Sequence, residues 1–209
     1  MSYKLLMQAT GEPKSRTRSF IEESRRAQIV DAAIGAIAEL GYTKASFARI
    51  AERAGLSSTG LISYHFANRA ELMAEVVDRV FGLISRHVSE RMAHQTDPPT
   101  ALRTYVEANV SFVAEQRAEM AALTEIFLHG GVEYGPAEEQ AATSPLEQIL
   151  RAGQASGVFR AFDPTIMAAL VQRAVDGFPL LLASRPDVDP SAYAAEVTTV
   201  FDLATRASA

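Results

Sequence analysis

The chain has 209 residues, of which 48% are hydrophobic and none is cysteine. This length suffices for one compact domain, or for a small domain joined to a larger one, and the lack of cysteine excludes disulfides, thiolate zinc sites and thiol catalysis. The formal net charge of −5 by itself argues against a nucleic-acid partner. The first residues contain no apolar run that would suit a signal peptide or a membrane span, so we expect a soluble cytoplasmic protein.

The charge is unevenly distributed along the chain. Residues 1–70 contain ten Lys and Arg against six Asp and Glu, a charge of +4, whereas residues 71–209 contain ten against nineteen, a charge of −9. A basic amino-terminal part on an acidic remainder is typical of a nucleic-acid-binding domain joined to a domain with another role. A chance scatter of a few charges stays open as the alternative.

Helical periodicity runs through almost the whole chain, because apolar residues recur at intervals of three and four rather than two. Residues 1–18 are polar with a charge of +3, and we predict a flexible basic arm that is either a solvated tail or a minor-groove contact. A first helix begins at Ser19 or Ser24 and ends at Gly41. Its predicted buried stripe comprises Ile29, Val30, Ala33, Ile34, Ile37 and Leu40.

The next two predicted helices are short. The second covers residues 47–54, with Ser46 as its N-cap and Gly55 after its end. The third covers residues 59–65. Its N-cap candidates are Ser57 and Ser58, and its predicted inward residues are Leu61, Ile62 and Phe66.

The remaining predicted helices are longer. The fourth begins at Asn68, whose side chain caps it while Glu71 completes a capping box, and it continues toward His94. After the break at the Pro98-Pro99 pair, we predict five more helices. They lie near residues 100–116, 118–130, 138–156, 164–184 and 190–206.

Two short helices joined by Ala54-Gly55-Leu56-Ser57, inside the basic region, predict a helix-turn-helix whose second helix can enter a major groove. Residues 25–72 also follow the pattern of one family in order. The matching positions are Ile29 to Ala33, Gly41-Tyr42, Ser46, Ile50-Ala51, Ala54 to Ser57, Gly60 to Ile62, Tyr64-His65-Phe66, Arg69 and Leu72. At these positions the chain resembles the tetracycline-repressor-type (TetR/AcrR) transcriptional regulators. The resemblance implies an all-α fold of about nine helices, three for DNA and the rest for an effector pocket and a homodimer interface.

Three positions depart from the family pattern. The segment Ser57-Ser58-Thr59 is one residue longer than the commonest spacing, so either the turn is longer or the recognition helix begins one residue later. Arg49 stands where the family often has an acidic residue, and a bound phosphate would offset the unfavourable cation near a helix N-terminus. Arg69 replaces the usual lysine and keeps a cation for a phosphate.

The DNA-contacting residues are predicted from exposure and chemistry within this motif. Thr59 and Ser63 can hydrogen-bond base edges, whereas Gly60 allows a close backbone approach. The neighbouring cations and hydroxyls are phosphate candidates, which set register without reading sequence. The full predicted set is Thr43, Lys44, Ser46, Arg49, Ser58, Thr59, Gly60, Ser63, Tyr64, His65 and Arg69. Purely structural roles stay open, above all for Ser46 as a cap and His65 as a core residue.

Bulky residues of the middle helices either line a ligand cavity or form an ordinary core, and the resemblance implies a pocket among them. The pocket candidates are Tyr105, Phe112, Met120, Phe127, His129, Met167 and Phe178. Polar groups that would orient a ligand are Asn109, Gln116, Glu125, His129 and Gln172. His87, Glu90 and His94 have a spacing that suits a metal, but without further ligands a surface pair is favoured, so we predict neither a metal nor a cofactor.

The last two predicted helices are strongly amphipathic. The dimer-interface candidates are Leu170, Ala174, Phe178, Leu181, Val197, Val200 and Phe201. In line with the resemblance, a helix pair from each of two subunits would form a four-helix interface and place two recognition helices about one helical turn apart on a palindromic operator. A monomer whose last helices cover its own core is the alternative.

These observations lead to one predicted organisation: an arm over residues 1–18, a helix-turn-helix domain over 19–70, and a ligand-binding and dimerisation domain over 71–209. The predicted function is a DNA-binding transcriptional regulator without enzymatic activity, a repressor released from double-stranded DNA by a small-molecule effector. The alternatives are a helical ligand carrier or enzyme with a vestigial DNA-binding head, and a ligand-independent regulator or activator.

Overall fold

The computed structural model describes residues 20–129 and 135–207, and these residues form nine α-helices. The helices are α1 (Phe20–Leu40), α2 (Phe47–Arg53), α3 (Gly60–His65), α4 (Arg69–Met92), α5 (Pro98–Glu115), α6 (Arg117–His129), α7 (Pro136–Ala155), α8 (Pro164–Ser184) and α9 (Pro190–Thr205). The predicted all-α class is therefore confirmed over the described ranges. The predicted basic arm and the Ser19 start of the first helix lie outside them.

Proline and capping residues explain why the later helices begin where they do. Each of α5, α7, α8 and α9 starts with a proline, whose missing N–H is not needed in the first turn. The residues Asp97, Asp163 and Asp189 precede three of these helices and accept backbone N–H bonds in the first turn. The helix boundaries predicted for this part of the chain are accordingly correct to within about two residues.

The buried apolar side chains form two clusters. The first joins α1 to α4, and α6 contributes Ala122, Leu123 and Ile126 to it. The second joins α5, α7, α8 and α9. Met120 of α6 packs against both clusters. Helices α1 to α4 therefore share their core with α6, which lies beyond α5 in the chain.

The predicted stripe of α1 is buried with one exception. Ile29, Ala33 and Ile37 are completely buried, whereas Leu40 is 39% exposed. Leu40 was predicted to be buried, and this is wrong because α1 ends at Leu40, where the chain turns through Gly41.

Of the described helices, α8 is the one whose length and composition would also suit a membrane span. Its inward residues include Val171, Val175 and Phe178, which are buried. Val171 and Phe178 belong to the second cluster, as expected for a core helix of a globular protein.

A glycine in α7 allows one close contact in the second cluster. Phe159 follows α7, is 6% exposed, and packs with its ring on Gly153. A Cβ atom at Gly153 would lie 2.0 Å from Cδ2 of Phe159, a distance that real structures do not tolerate.

We therefore expect Gly153→Ala to lower the free energy of unfolding by about 1–3 kcal/mol, because the ring must move within a packed core. The matched control is Gly82→Ala, in the middle of α4, where an added Cβ meets nothing within 4 Å. That control should leave stability unchanged or raise it by up to about 1 kcal/mol. Urea unfolding followed by far-ultraviolet circular dichroism measures both, and equal midpoints for the two variants would contradict the packing described.

Candidate DNA-binding site

The predicted helix-turn-helix is formed by α2 and α3. Gly55 follows α2 with a φ of 64°, a left-handed conformation that favours glycine. The turn is closed by a 2.9 Å bond from the Leu56 N–H to the Ala51 carbonyl. Ile50 of α2 and Ile62 of α3 are completely buried beneath it. The glycine turn and its two flanking helices are therefore confirmed.

The recognition helix α3 begins at Gly60 and has only six residues. Thr59 occupies the N-cap position, and its side chain makes no capping hydrogen bond. The prediction that Ser57 or Ser58 caps this helix is therefore wrong. The recognition helix thus begins one residue later than the predicted start at Thr59.

Most of the predicted contact residues in and next to α3 lie on the protein surface. Thr59, Gly60, Ser63 and Tyr64 are exposed, and Ser58 is exposed in the preceding turn. Thr59 and Ser63 are four residues apart, as are Gly60 and Tyr64, so each pair shares a side of the helix. The hydroxyls of Thr59 and Ser63 can thus face the same groove.

The other residues of α3 face inward or lie at its edge. Ile62 and the following Phe66 are fully buried, and His65 is half-buried with its ring centre 5.0 Å from that of Tyr64. Leu61 was assigned to the core, but it is 37% exposed. A six-residue helix turns only one narrow face toward the core, and that face is taken by Ile62 and Phe66.

The segment between α1 and α2, together with the start of α2, carries four of the predicted contacts. Thr43, Lys44, Ser46 and Arg49 are exposed. Ser46 caps α2 as predicted, since its Oγ accepts the Arg49 N–H at 3.4 Å. The Arg49 guanidinium pairs with Glu52 at 3.1 Å, so its charge is partly neutralised in the free protein.

Arg69, predicted to bind a phosphate directly, is held within the protein. Its guanidinium donates to the Ala45 carbonyl at 2.7 Å and to the Tyr42 carbonyl, and it lies 4.4 Å from the centre of the Tyr42 ring. Two of its nitrogens are therefore occupied by the segment between α1 and α2. This corrects the predicted role, because Arg69 anchors that segment rather than presenting a free cation.

The start of α4 is capped nearly as predicted. The Asn68 Oδ1 accepts the Glu71 N–H at 2.9 Å. Glu71 reaches back to the N–H of Ala67 at 2.7 Å, one residue before the atom expected in a capping box. The Glu71 carboxylate also faces the guanidinium of Arg26 at 3.5 Å.

Arg26 of α1, which the sequence patterns did not single out, holds the recognition helix in place. It is 7% exposed, and its guanidinium donates to the His65 carbonyl at the end of α3 and to Glu75 of α4 at 2.5 Å. It also lies 4.0 Å from the centre of the Phe66 ring. One side chain thus joins α1, α3 and α4. Its signal in the sequence is its place three and four residues before Ile29 and Val30, on the buried stripe.

The pocket candidates do not line one common cavity. Tyr105, Met167 and Phe178 are buried in the second cluster, and Phe112 is 2% exposed. Phe127 packs against the first cluster, and Met120 packs against both. His129 is exposed at the end of α6. The candidates are thus divided between the two clusters, because α6 turns its apolar face toward the amino-terminal helices.

The polar groups predicted to orient a ligand are also divided. Tyr105 donates its hydroxyl to Gln172 at 2.8 Å, and the Gln172 amide donates to Asp176 at 2.7 Å. Burial raises the pKa of the Asp176 carboxyl. Asn109 lies nearby, donating to the Tyr105 carbonyl at 2.8 Å. Glu125, in contrast, binds the Tyr42 N–H of the amino-terminal helices.

The remaining predicted polar and metal-site residues have local roles. Gln116 is the C-cap of α5, and His87 bonds Ser111 at 2.9 Å. Burial lowers the pKa of the His87 imidazole. Within the described residues, no group of three or more His, Asp or Glu side chains is arranged to hold a metal ion.

The dimer candidates fall into three groups by exposure. Leu170 and Val200 are 53% and 57% exposed. Ala174, Leu181 and Val197 are half-buried against the second cluster. Phe178 is fully buried and Phe201 is 9% exposed, so these two were wrongly assigned to an interface and belong to the core.

A helix-turn-helix with an exposed recognition helix, joined to further helices, is typical of DNA-binding proteins of the helix-turn-helix class. Residues 29–76 match the sequence profile of the bacterial regulatory proteins of the tetR family. Over these residues the chain is therefore similar to the tetR family.

Similar proteins agree with this assignment. The HTH-type transcriptional regulator BetI of Burkholderia cenocepacia is 36% identical over 90 residues, which are 43% of this chain and 46% of BetI. The chain thus matches about half the length of such curated relatives.

Solved structures cover more of the chain. SmeT, the repressor of the Stenotrophomonas maltophilia multidrug efflux pump SmeDEF, is 25% identical with a TM-score of 0.72, over 87% of this chain and 90% of SmeT. AibR, in complex with isovaleryl coenzyme A and operator DNA, is 19% identical with a TM-score of 0.69, over 84% of this chain and 97% of AibR. The AibR likeness shows the fold alone.

The role of Arg26 leads to a prediction. Arg26→Ala should lower the free energy of unfolding by about 1–3 kcal/mol, because it leaves the His65 carbonyl and Glu75 without their buried partner. The control is Arg25→Ala, at an exposed neighbouring position, which should change stability by less than about 0.5 kcal/mol. Chemical denaturation of the two variants measures the difference, and an Arg26 variant as stable as the control would contradict the role described.

Proposed function

We propose that the chain is a transcriptional regulator that binds a palindromic DNA operator as a homodimer and acts as a repressor released by a small molecule. The observation that carries the proposal is the exposed face of α3, where Thr59, Gly60, Ser63 and Tyr64 project from a tetR-family domain. In this proposal residues 19–70 bind DNA and residues 71–209 bind the effector and the partner subunit. Such a role needs no catalysis and is performed in the cytoplasm, where bacterial DNA lies.

Charge supports DNA contact at this surface. Residues 41–70 contain four Lys and Arg against one Glu. Lys44 is exposed, and none of the ion pairs found in the described part of the chain involves it. We assign phosphate contacts to Thr43, Lys44, Ser46 and Arg49, and base contacts to Thr59 and Ser63. Gly60 allows the close approach, and Ser58, Tyr64 and His65 flank it.

An exposed apolar surface supports the homodimer. On α8 and α9 the side chains of Ile166, Leu170, Leu180, Val200 and Leu203 are between 53% and 66% exposed. Tyr193 of α9 joins the two helices, since its ring stacks on Phe178 at 4.5 Å and its hydroxyl donates to the Ala174 carbonyl. Large apolar side chains on two neighbouring helices are the expected core of a two-fold interface.

The body offers polar groups for an effector. Tyr105, Asn109 and Gln172 are each 7% exposed, and they interrupt an otherwise apolar core between α5 and α8. The polar groups of a ligand that entered here would form hydrogen bonds with these side chains in place of the bonds that they now make to one another. AibR, whose fold is similar, was solved with both a coenzyme A ester and operator DNA, which supports a body that binds a small molecule.

The assignment of contacts predicts two different mutational effects on DNA binding. Thr59→Ala combined with Ser63→Ala should lower the ratio of operator to scrambled-DNA affinity about tenfold, because base contacts are lost. Lys44→Ala should weaken both DNAs alike and reduce the salt slope by about one, because one phosphate contact is lost. Fluorescence anisotropy on a site selected from random duplexes measures both.

Two outcomes count against these assignments. If the unmodified chain selects no specific sequence, the proposed function fails. If the two variants behave alike, the function stands but the division into base and phosphate contacts is wrong.

The proposed interface predicts that Leu170→Asp raises the dimer dissociation constant by at least about a hundredfold, because a charge is placed twice in one two-fold contact. Leu128→Asp, at a leucine that is 60% exposed on α6, is the matched control and should leave the dimer intact. Sedimentation velocity over a range of concentrations distinguishes the species. Dissociation of the control alone would place the interface elsewhere.

A further inference from the structure

The segment between α1 and α2, residues 41–46, is held by a side chain from the body. The Tyr42 N–H donates to Oε2 of Glu125 at 2.9 Å, although the two residues are 83 positions apart. Glu125 lies on α6 and is half-buried. We call residues 41–46 the contact loop, because Thr43, Lys44 and Ser46 are its proposed phosphate contacts.

The carboxylate of Glu125 lies close to the backbone of the neighbouring residue, Gly41. Gly41 has a φ of 79°, a conformation that disfavours other residues. A Cβ atom at Gly41 would lie 3.2 Å from Oε2 of Glu125, closer than most real contacts of this kind. A side chain at Gly41 would therefore require the Glu125 carboxylate to shift.

The opposite side of the contact loop is held by α4. Arg69 donates to the Tyr42 and Ala45 carbonyls and lies over the Tyr42 ring. The Tyr42 N–H therefore donates to a side chain of α6, and the Tyr42 carbonyl accepts from a side chain of α4. The backbone that presents Lys44 is fixed between these two helices.

The position of α6 is itself coupled to both clusters. Ala122, Leu123 and Ile126 are buried in the first cluster, and Met120 contacts the second. A rearrangement of the body that moves α6 therefore moves Glu125 relative to the rest of the molecule.

We propose that Glu125 is a positioning residue for DNA binding, which fixes the contact loop and makes its phosphate contacts depend on the position of α6. This inference rests on the proposed function and adds to it a route from the body to the DNA surface. The route leads through the phosphate-contacting loop and does not pass through the recognition helix. It acts on affinity for DNA of any sequence, because the loop reads no bases.

The decisive variant is Glu125→Ala, with Glu119→Ala on the same helix as the matched control. Hydrogen exchange of the Tyr42 amide in the DNA-free protein is the first readout. We expect exchange to be at least about tenfold faster in Glu125→Ala and unchanged in Glu119→Ala, because only the former removes the acceptor. Glu125→Gln keeps a carbonyl oxygen at this position and should restore most of the protection.

Binding to DNA is the second readout. Glu125→Ala should weaken both operator and scrambled DNA by about fivefold to tenfold and lower the salt slope. In a Lys44→Ala background the same substitution should cost less than about twofold, since the contact it positions is already gone. Glu125→Gln should recover most of the affinity.

The outcomes separate this inference from the proposed function. An unmodified chain without sequence-specific binding overturns the proposed function and, with it, the role of Glu125. Specific binding by the unmodified chain overturns the role of Glu125 alone if Glu125→Ala binds as well as the control. The same holds if the Tyr42 amide stays protected, or if the effects of Glu125→Ala and Lys44→Ala simply add.

Discussion

The placement of the recognition helix depends on one buried guanidinium. A six-residue helix is far too short to be stable on its own, so the orientation of α3 is set by what its inner face and its ends contact. Ile62 and Phe66 supply the inner face, and Arg26 binds the carbonyl of His65 where the helix ends. The same guanidinium pairs with Glu75 of α4. One residue of α1 therefore fixes the positions of both the recognition helix and α4.

The two proposed domains are not structurally separate, because α1 to α4 share one core with α6. A boundary near residue 70 describes the order of the sequence, but α6 packs its apolar face into the amino-terminal cluster. Two kinds of connection follow from this packing. The long α4 leads from the contact surface into the body, and α6 returns from the body to the contact loop through Glu125.

Local features of the sequence predict most of the fold. The caps at Ser46 and Asn68 and the turn at Gly55 act on neighbouring residues and were found as expected. The prolines that begin four helices lie within two residues of the predicted helix starts. Apart from the cap of α3 and the burial of Leu40, what failed depends on partners distant in the chain. The side chains of Arg69 and Glu125 bind backbone atoms that lie many positions away in the chain. Phe178 is buried because Tyr193 of α9 covers it. Amphipathic periodicity cannot distinguish which apolar face meets a partner and which meets the chain's own core.

The ion pair between Arg49 and Glu52 has a consequence for how such a protein would find its target. Arg49 can take a phosphate only in competition with a carboxylate 3.1 Å away, so arbitrary duplex DNA gains less from it than from an unpaired cation. Non-target sequence outnumbers operators in a genome by a factor on the order of a million or more. A DNA-binding domain that is only weakly basic would therefore dissociate quickly from that excess, and more of the protein would remain available to its proposed operators.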